Sequence, residues 1–343
     1  MARRGAPSRA RSAPRADRAG LRPVPGARPG GLTLIVSHPE DAHVPRVAAA
    51  LERLGRRSVL LDLASLPRFA ALTVTHRGDE ALGAWLRAPD GTTLRAEEVA
   101  SIWWRRPLPY VTHPELAPDH ASFAFDQLHE AVAGLWSAMP ARWVNQPWAD
   151  QRAGHKVGQL LVAERLGLAI PQTLVSTSPL DAREFLEQRP GMAFVKKQLK
   201  GTARFGQPTR PLSLADLDRL DALRFGPAII QEYVPGVDLR VTVAGDDLFA
   251  TEIDPRRTSS PHDFRPVFDE CRVEEAHLPV AVEEALRALV DHLGLVYAAI
   301  DLRRDEDGRH VLLEVNPAGQ WLFLEERTGQ PISLAVARAL VSG

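Results

Sequence analysis

The chain has a single cysteine, Cys271, in 343 residues. No internal disulfide can form, which excludes a disulfide scaffold and a cysteine-rich metal site and fits a reducing compartment, the cytoplasm. No apolar run approaches the roughly 18 to 20 residues that a membrane helix needs. Charge of neither sign dominates, with 42 Lys and Arg against 43 Asp and Glu, so the chain as a whole offers nucleic acid no electrostatic footprint. Common nucleotide devices are missing too. None of the lysines follows the glycine that a P-loop requires, and no G-x-G-x-x-G turn joins the first apolar run to its helix. Asp263-Phe264-Arg265 lacks the glycine of a kinase D-F-G, and neither H-E-x-x-H nor G-x-S-x-G occurs. Cys271 lies beside Glu270 and Arg272 with no base in sequence reach, so it is no candidate nucleophile.

Lysine itself is scarce. Only Lys156, Lys196, Lys197 and Lys200 occur, all between positions 156 and 200, and arginine serves everywhere else. A GC-rich genome accounts for the scarcity but not for the clustering. Lysine is a compact, flexible point charge that the rigid fork of arginine does not copy. The window therefore reads as a place where ammonium groups are required.

Residues 1–30 hold eight Arg, seven Ala, five Pro and four Gly with one acid, Asp17. Such a segment cannot bury apolar surface and is expected to be a disordered tail; it lacks the apolar stretch of a signal peptide. From Leu32 the pattern changes. Leu32 to Val36 predicts a buried strand, Val44, Val47, Ala48, Leu51 and Leu54 recur at helical spacing before Gly55, and Ser58 to Leu63 predicts the next strand. This is a β-α-β opening of an α/β domain. Ala100 to Trp104 predicts a strand ending in Trp103-Trp104-Arg105-Arg106-Pro107, and a long helix follows over about 121–139. Further on, a helix is expected at 156–166, a strand at 170–175, a helix at 180–187, a strand at 193–199 carrying Lys196 and Lys197, a flexible turn at 201–206 and a strand at 228–233. The last third predicts a hairpin (239–244 and 248–253), a helix at 280–293, strands at 296–303 and 310–316 joined by an acidic turn, and a final helix at 332–341.

The strongest constellation lies in those last two strands. Glu314 and Asn316 are two residues apart on one strand and so share a face, and a hairpin brings Asp301 opposite them. Two carboxylates and an amide oxygen make a hard oxygen cluster suited to Mg²⁺. These acids sit inside apolar runs, Val296 to Leu302 and Val311 to Pro317, which is not the setting of a solvated charged face.

Here a resemblance enters. Leu313-Glu-Val-Asn-Pro-Ala-Gly-Gln-Trp321 resembles the signature of the ATP-grasp ligases that crosslink ribosomally made peptides, the microviridin-type or graspetide macrocyclases. Trp103-Trp104-Arg105-Arg106-Pro107 is similar to a tract of the same enzymes, and Gln231-Glu-Tyr-Val-Pro-Gly-Val-Asp-Leu-Arg240 looks like the segment linking two ATP-grasp lobes. The spacing of Asp301, Glu314 and Asn316 matches the magnesium triad of ATP-grasp enzymes generally.

The resemblance covers about residues 32–340. It implies an α/β protein of the ATP-grasp fold: a tail (1–30), an N-terminal pre-ATP-grasp domain (31–145), a central lobe (146–234) and a C-terminal lobe with the metal site (235–343). It implies ATP and Mg²⁺ as cofactors. Lys156 then resembles the first nucleotide lysine. Lys196 and Lys197 both stand where the second belongs, and Lys197-Gln198-Leu199 matches the family better. The turn 201–206 would approach the phosphates with its backbone N–H groups. Glu232 and Val234, with Tyr233 between them, would meet the adenine edge, Asp238 the ribose, and Arg240 and Arg265 the γ-phosphate and acyl group as catalytic arginines.

The activity implied is conversion of a precursor peptide's Asp or Glu carboxylates to acylphosphates, then ring closure by ester or amide formation. The implied partner is a leader-plus-core peptide, with no nucleic acid or membrane, and the assembly a homodimer. Two other readings stand beside it. One is an ATP-grasp ligase that adds glutamate or another amine to its substrate; the other is a nucleotide-binding protein without catalysis, against which the lysines, arginines and triad all speak.

Overall fold

The computed structural model describes residues 31–76, 83–87, 91, 93–199 and 210–342. The arginine-rich segment 1–30, Lys200 and the turn 201–206 lie outside the described residues.

The first part of the chain runs β1 (Leu32–Val36), α1 (His43–Arg53), β2 (Ser58–Leu61), β3 (Ala71–Thr75), β4 (Gly83–Arg87), β5 (Thr93–Arg95), β6 (Val99–Trp104), α2 (Pro118–Ala138) and β7 (Arg142–Val144). The middle runs α3 (Pro147–Ala153), α4 (Lys156–Arg165), β8 (Thr173–Ser176), α5 (Pro179–Glu187), β9 (Phe194–Lys197), α6 (Leu214–Leu217) and β10 (Ala228–Glu232). The last part runs β11 (Val237–Ala244), β12 (Asp247–Asp254), β13 (Arg272–Ala276), α7 (Val280–Leu293), β14 (Tyr297–Arg304), β15 (His310–Asn316), α8 (Leu322–Thr328) and α9 (Ile332–Val341).

Strands β2-β1-β6-β7 form a parallel sheet. All five residues of β1 are buried, as expected for an inner parallel strand covered on both faces. Helix α1 buries Val44, Val47 and Leu51 of the positions that the sequence spaces helically, and Ala50 besides, whereas Ala48 is only partly buried and Leu54, at the helix end, is exposed. Gly55 turns the chain at φ 73°, a conformation that costs glycine nothing. The long helix starts at Pro118, three residues before the predicted start, because a proline at the first helical position has no N–H to lose. Strands β3-β4-β5 add a small antiparallel sheet that no motif announces.

A second sheet, β8-β10-β9, is antiparallel. The third, β13-β12-β11-β14-β15, is antiparallel throughout and contains both predicted hairpins. Its faces separate by simple alternation. Leu239, Val241 and Val243 of β11, Ala298, Ile300 and Leu302 of β14 and Leu312 and Val315 of β15 are buried against Leu286, Leu289, Val290 and Leu293 of α7. The intervening residues, Asp238 and Arg240, Asp301 and Arg303, and Glu314 and Asn316, fall on the other face. At about 1.5–3 kcal/mol for each buried aliphatic side chain, this apolar face fixes the register and so holds the polar face in place.

The last helix returns to the first sheet. Ile332, Ala335, Val336, Ala339 and Leu340 of α9 share a core with Val44, Val47 and Leu51 of α1 and with Trp103. No helix among the described residues is long and apolar enough to cross a membrane.

Candidate active site

A cleft of about 1670 Å³ opens between β9 and β10, the polar face of the five-stranded sheet and the segment that follows β6. Ordinary small-ligand pockets measure roughly 300–1,000 Å³, so a nucleotide leaves room for more. Lys156, Lys197, Glu232, Tyr233, Val234, Asp238, Arg240, Arg265, Asp301, Glu314 and Asn316 all line it.

Its floor is one row across three strands. Arg240 of β11 lies opposite Asp301 of β14, which lies opposite Glu314 of β15. A bulge shifts the pairing just after Asp301, so that Leu302 meets Leu312 and Leu313 has no opposite number; such bulges re-aim side chains beside functional sites. Arg240 Nη1 donates to Asp301, and Lys156 Nζ, from the first residue of α4, donates to Glu314. Asn316 Nδ2 donates to Glu314 Oε1 at 3.0 Å and approaches Asp301 Oδ2 at 3.4 Å. Burial pushes the Glu314 carboxyl up, but the Lys156 ammonium and the hydrogen bonds from Lys156 and Asn316 outweigh it and hold the group at about 2. Asp301 is pushed up, by burial first and by the nearby Glu314, against the pull of Arg240. The row holds two carboxylates and one amide, and the described residues contain no cluster of three His, Cys, Asp or Glu side chains. The orientation of an amide is assigned from its hydrogen bonds; turned over, Asn316 offers an oxygen beside the two carboxylates. The donors present therefore fit a hard divalent cation.

Alternation divides the two lysines of β9. Lys197 is half-buried, and burial pushes its ammonium down while the Glu314 charge opposes that. Lys196 borders the cleft and is exposed. Beside the end of β10, Arg303 clasps Asp238 through Nε (3.1 Å) and Nη2 (2.8 Å) and donates to the Val234 carbonyl at 3.2 Å. Its guanidinium lies 5.5 Å from the Tyr233 ring centroid, and Tyr233 Oη meets His262 Nδ1 at 2.8 Å. The amides of Glu232 and Tyr233 bond to the carbonyls of Gln172 and Ala193, each at 2.8 Å. Arg265 sits at the mouth with its side chain 61% exposed, gripped by Asp263 at 2.5 and 2.8 Å.

The two tryptophan-bearing tracts of the sequence meet beside this row. Arg105, almost wholly buried, donates through Nη1 to the carbonyls of Ala318 (2.8 Å) and Gly319 (2.6 Å) and through Nε to Asp41 (3.2 Å). Its guanidinium lies 4.9 Å from the Trp321 ring. His43 Nε2 accepts from the Trp321 amide at 3.2 Å, so its proton resides on Nδ1, which donates to Asp41 Oδ1 at 2.9 Å. Arg106 adds a bond to the Ala318 carbonyl at 3.1 Å. Gly319 is required here for space: a Cβ would stand 2.3 Å from the Ala299 Cβ and 2.9 Å from Arg240 Nη2.

Comparisons with known proteins bear on the fold. Residues 32–151 match the MvdD pre-ATP grasp domain family. The macrocyclase MdnC of Microcystis aeruginosa MRC, solved with precursor peptide MdnA, is 27% identical with a TM-score of 0.81 over 91% of this chain and 99% of its own. The macrocyclase MdnB of the same organism is 28% identical with a TM-score of 0.78 over 92% and 100%. This chain is an ATP-grasp ligase. Among curated proteins, the ligase is 29% identical to the probable alpha-L-glutamate ligase 1 of Shewanella baltica over 216 residues, 61% of this chain and 70% of that one.

Several residues of the ligase that serve the site escape a reading of the sequence. Strand β15 is an edge, and Gln159 of α4 completes it, accepting from the Val315 amide at 2.9 Å and donating to the Val315 carbonyl at 2.7 Å, which fixes Glu314 and Asn316 on either side. Asn145 holds the start of β14 through the Val296 and Tyr297 amides (2.7 and 2.9 Å) and bonds the Pro317 carbonyl at 3.1 Å. Asp41, His43 and Arg303 complete the set. Of these, Arg303 alone left a signal, because it lies two residues beyond Asp301 and so shares its face.

Proposed function

We propose that the ligase is a peptide macrocyclase that activates Asp or Glu side chains of a ribosomal precursor peptide as acylphosphates and closes them onto side chains of the same peptide. The observation that carries this is the junction of Arg105 and Trp321: the two tracts that resemble those of the maturases are separated by more than two hundred positions and meet along one wall of the cleft. The solved macrocyclases of similar fold support it. So does the size of the cleft, which admits a peptide segment beside a nucleotide.

Carboxylate and hydroxyl do not condense unaided at neutral pH. The γ-phosphoryl group of ATP passes to the carboxylate oxygen, ADP leaves, the acceptor attacks the acyl carbon, and phosphate departs with the bonding electron pair. Asp301, Glu314 and Asn316 would hold Mg²⁺, which when bound neutralises charge on the phosphate oxygens. Lys156 and Lys197 carry ammonium groups to the same charge, with Lys156 exchanging Glu314 for phosphate when nucleotide enters. Arg240 and Arg265 face the transferring group and the acyl oxygen. Glu232, Tyr233 and Val234 border the adenine, and Asp238, steadied by Arg303, the ribose. The domain limits 31–145, 146–234 and 235–343, a homodimeric assembly and a cytoplasmic setting belong to the same proposal.

The test is the mass of a candidate precursor incubated with ATP, Mg²⁺ and the ligase. Each crosslink removes one water and adds nothing, so the peptide becomes lighter by one water per ring. A gain in mass with free glutamate would transfer the chain to the reading that its curated relatives' names favour. Replacing the core Asp and Glu by Asn and Gln should abolish both the mass loss and peptide-stimulated ADP release.

A further inference from the structure

Among the described residues, three buried polar atoms on the wall of the cleft nearest the N-terminal sheet find no partner. Asp150 Oδ2, Arg105 Nη2 and His38 Nδ1 are each buried and without a hydrogen-bond partner, and all three residues line the cleft. Unmatched buried polar atoms are uncommon and costly, so these three ask for an explanation; Gln231 Oε1 and Arg240 Nε, unmatched as well, belong to cleft residues on β10 and β11. Asp150 stands in the first turn of α3, one short corner before Lys156. Arg105 has its other nitrogens fixed on Asp41, Ala318 and Gly319, which leaves Nη2 over.

We propose that Asp150, Arg105 and His38 form the subsite for the attacking side chain, and that this subsite is built for a hydroxyl. The assignment rests on the macrocyclase reading above and names its acceptor. A hydroxyl both donates and accepts. It can give its proton to the Asp150 carboxylate while its oxygen takes a hydrogen bond from Arg105. An ammonium donates only, and here it would face the guanidinium groups of Arg105 and Arg106 and the nearby Lys156, with Asp150 as the unpaired acid. In the step itself the hydroxyl oxygen bonds to the acyl carbon, the bond from that carbon to the phosphate oxygen breaks, phosphate leaves with the electron pair, and the hydroxyl proton passes to Asp150. Burial pushes the Asp150 carboxyl up to about 6, with Arg105 opposing, which makes it a stronger proton acceptor than an ordinary aspartate. The product is an ester.

The test uses the full chain with the peptide that loses water in the assay above, comparing wild type, Asp150→Asn and Asp150→Glu. Acyl transfer is read in two ways: ring closure by mass, and trapping of the activated carboxylate by hydroxylamine as a peptide hydroxamate. Asp150→Asn is expected to lower ring closure about 100-fold, the range of a lost general base, while hydroxamate yield and ADP affinity stay within about twofold of wild type. Asp150→Glu should recover part of the loss. The wild-type rings should open in mild base, as esters do, and should vanish when core Ser and Thr become Ala. Base-stable rings to lysine, ring closure by Asp150→Asn at the wild-type rate, or equal loss of hydroxamate and rings would each overturn the subsite. A wild-type chain that yields neither hydroxamate nor ring from any precursor overturns the macrocyclase reading as well, and that result is distinct from the others.

Discussion

At the scale of single residues, the cleft is an exercise in holding like charges apart until substrate arrives. Asp301 and Glu314 lie opposite each other, and Arg240 and Lys156 take one each. Replacing either carboxylate by Ala should therefore leave the fold intact and remove several kcal/mol of transition-state stabilisation. Peptide-dependent ADP release, with circular dichroism as the control, measures it; a Glu314→Ala chain with near-native turnover would dismiss the row as the catalytic floor. Lys197 faces these acids while Lys196 is exposed, so Lys197→Met should weaken ATP binding more than Lys196→Met does in calorimetric titration. Asp150 carries a signed pH prediction. Its folded pKa, about 6, lies above its ordinary value of 3.8, so the folded state holds the proton more firmly. The associated stability is present below pH 4 and is lost as pH rises through 6. Asp150→Asn should accordingly raise the melting temperature at pH 8 and do so less at pH 5. A uniform shift at both values would mean that the carboxylate is not strained by its surroundings.

At the scale of elements, what was legible followed from local periodicity. The acids of β14 and β15 stand out because they interrupt apolar alternation, and the hairpin that joins them needs no more than the turn Asp305 to Gly308. The same alternation puts Arg303 beside Asp301, yet in a chain where arginine is everywhere its presence drew no notice. The antiparallel sheet β3-β4-β5 was not legible, since its short strands are mostly half-exposed and carry no clean alternation of burial. Gln159 and Asn145 were not legible for another reason: their partners, Val315 and Tyr297, lie more than 150 positions away, and nothing local marks a side chain that replaces a missing strand. The segment between β15 and α8 offers a sharp test. Gly319→Ala would force a Cβ against Ala299 and Arg240, an overpacking worth about 1–3 kcal/mol. Chemical denaturation should register the loss, and turnover should fall further than stability alone explains, because Arg240 must move.

At the scale of the whole molecule, the first sheet and the five-stranded sheet are tied by Arg105 and by the return of α9 to α1. Arg105→Ala should cost about 3 kcal/mol, near the low end for severing a buried pair, since Ser37 and His43 still bond Asp41. A single cooperative melt at lower temperature is expected. Two separate transitions would show instead that the N-terminal sheet and the rest unfold independently and that Arg105 is their principal tie.

The Arg105 grip on the Ala318 and Gly319 carbonyls also has a consequence for ancestry. A guanidinium enclosed by an aspartate, two carbonyls and an indole tolerates few replacements one at a time, because each neighbour is shaped to the others. Descendants of this gene should then change positions 41, 43, 105 and 321 together or leave all four alone, whereas the exposed Lys196 drifts freely. A lineage that swapped Arg105 while keeping Asp41, His43 and Trp321 would mark a protein whose N-terminal sheet has been released from the chemistry and is evolving toward another use.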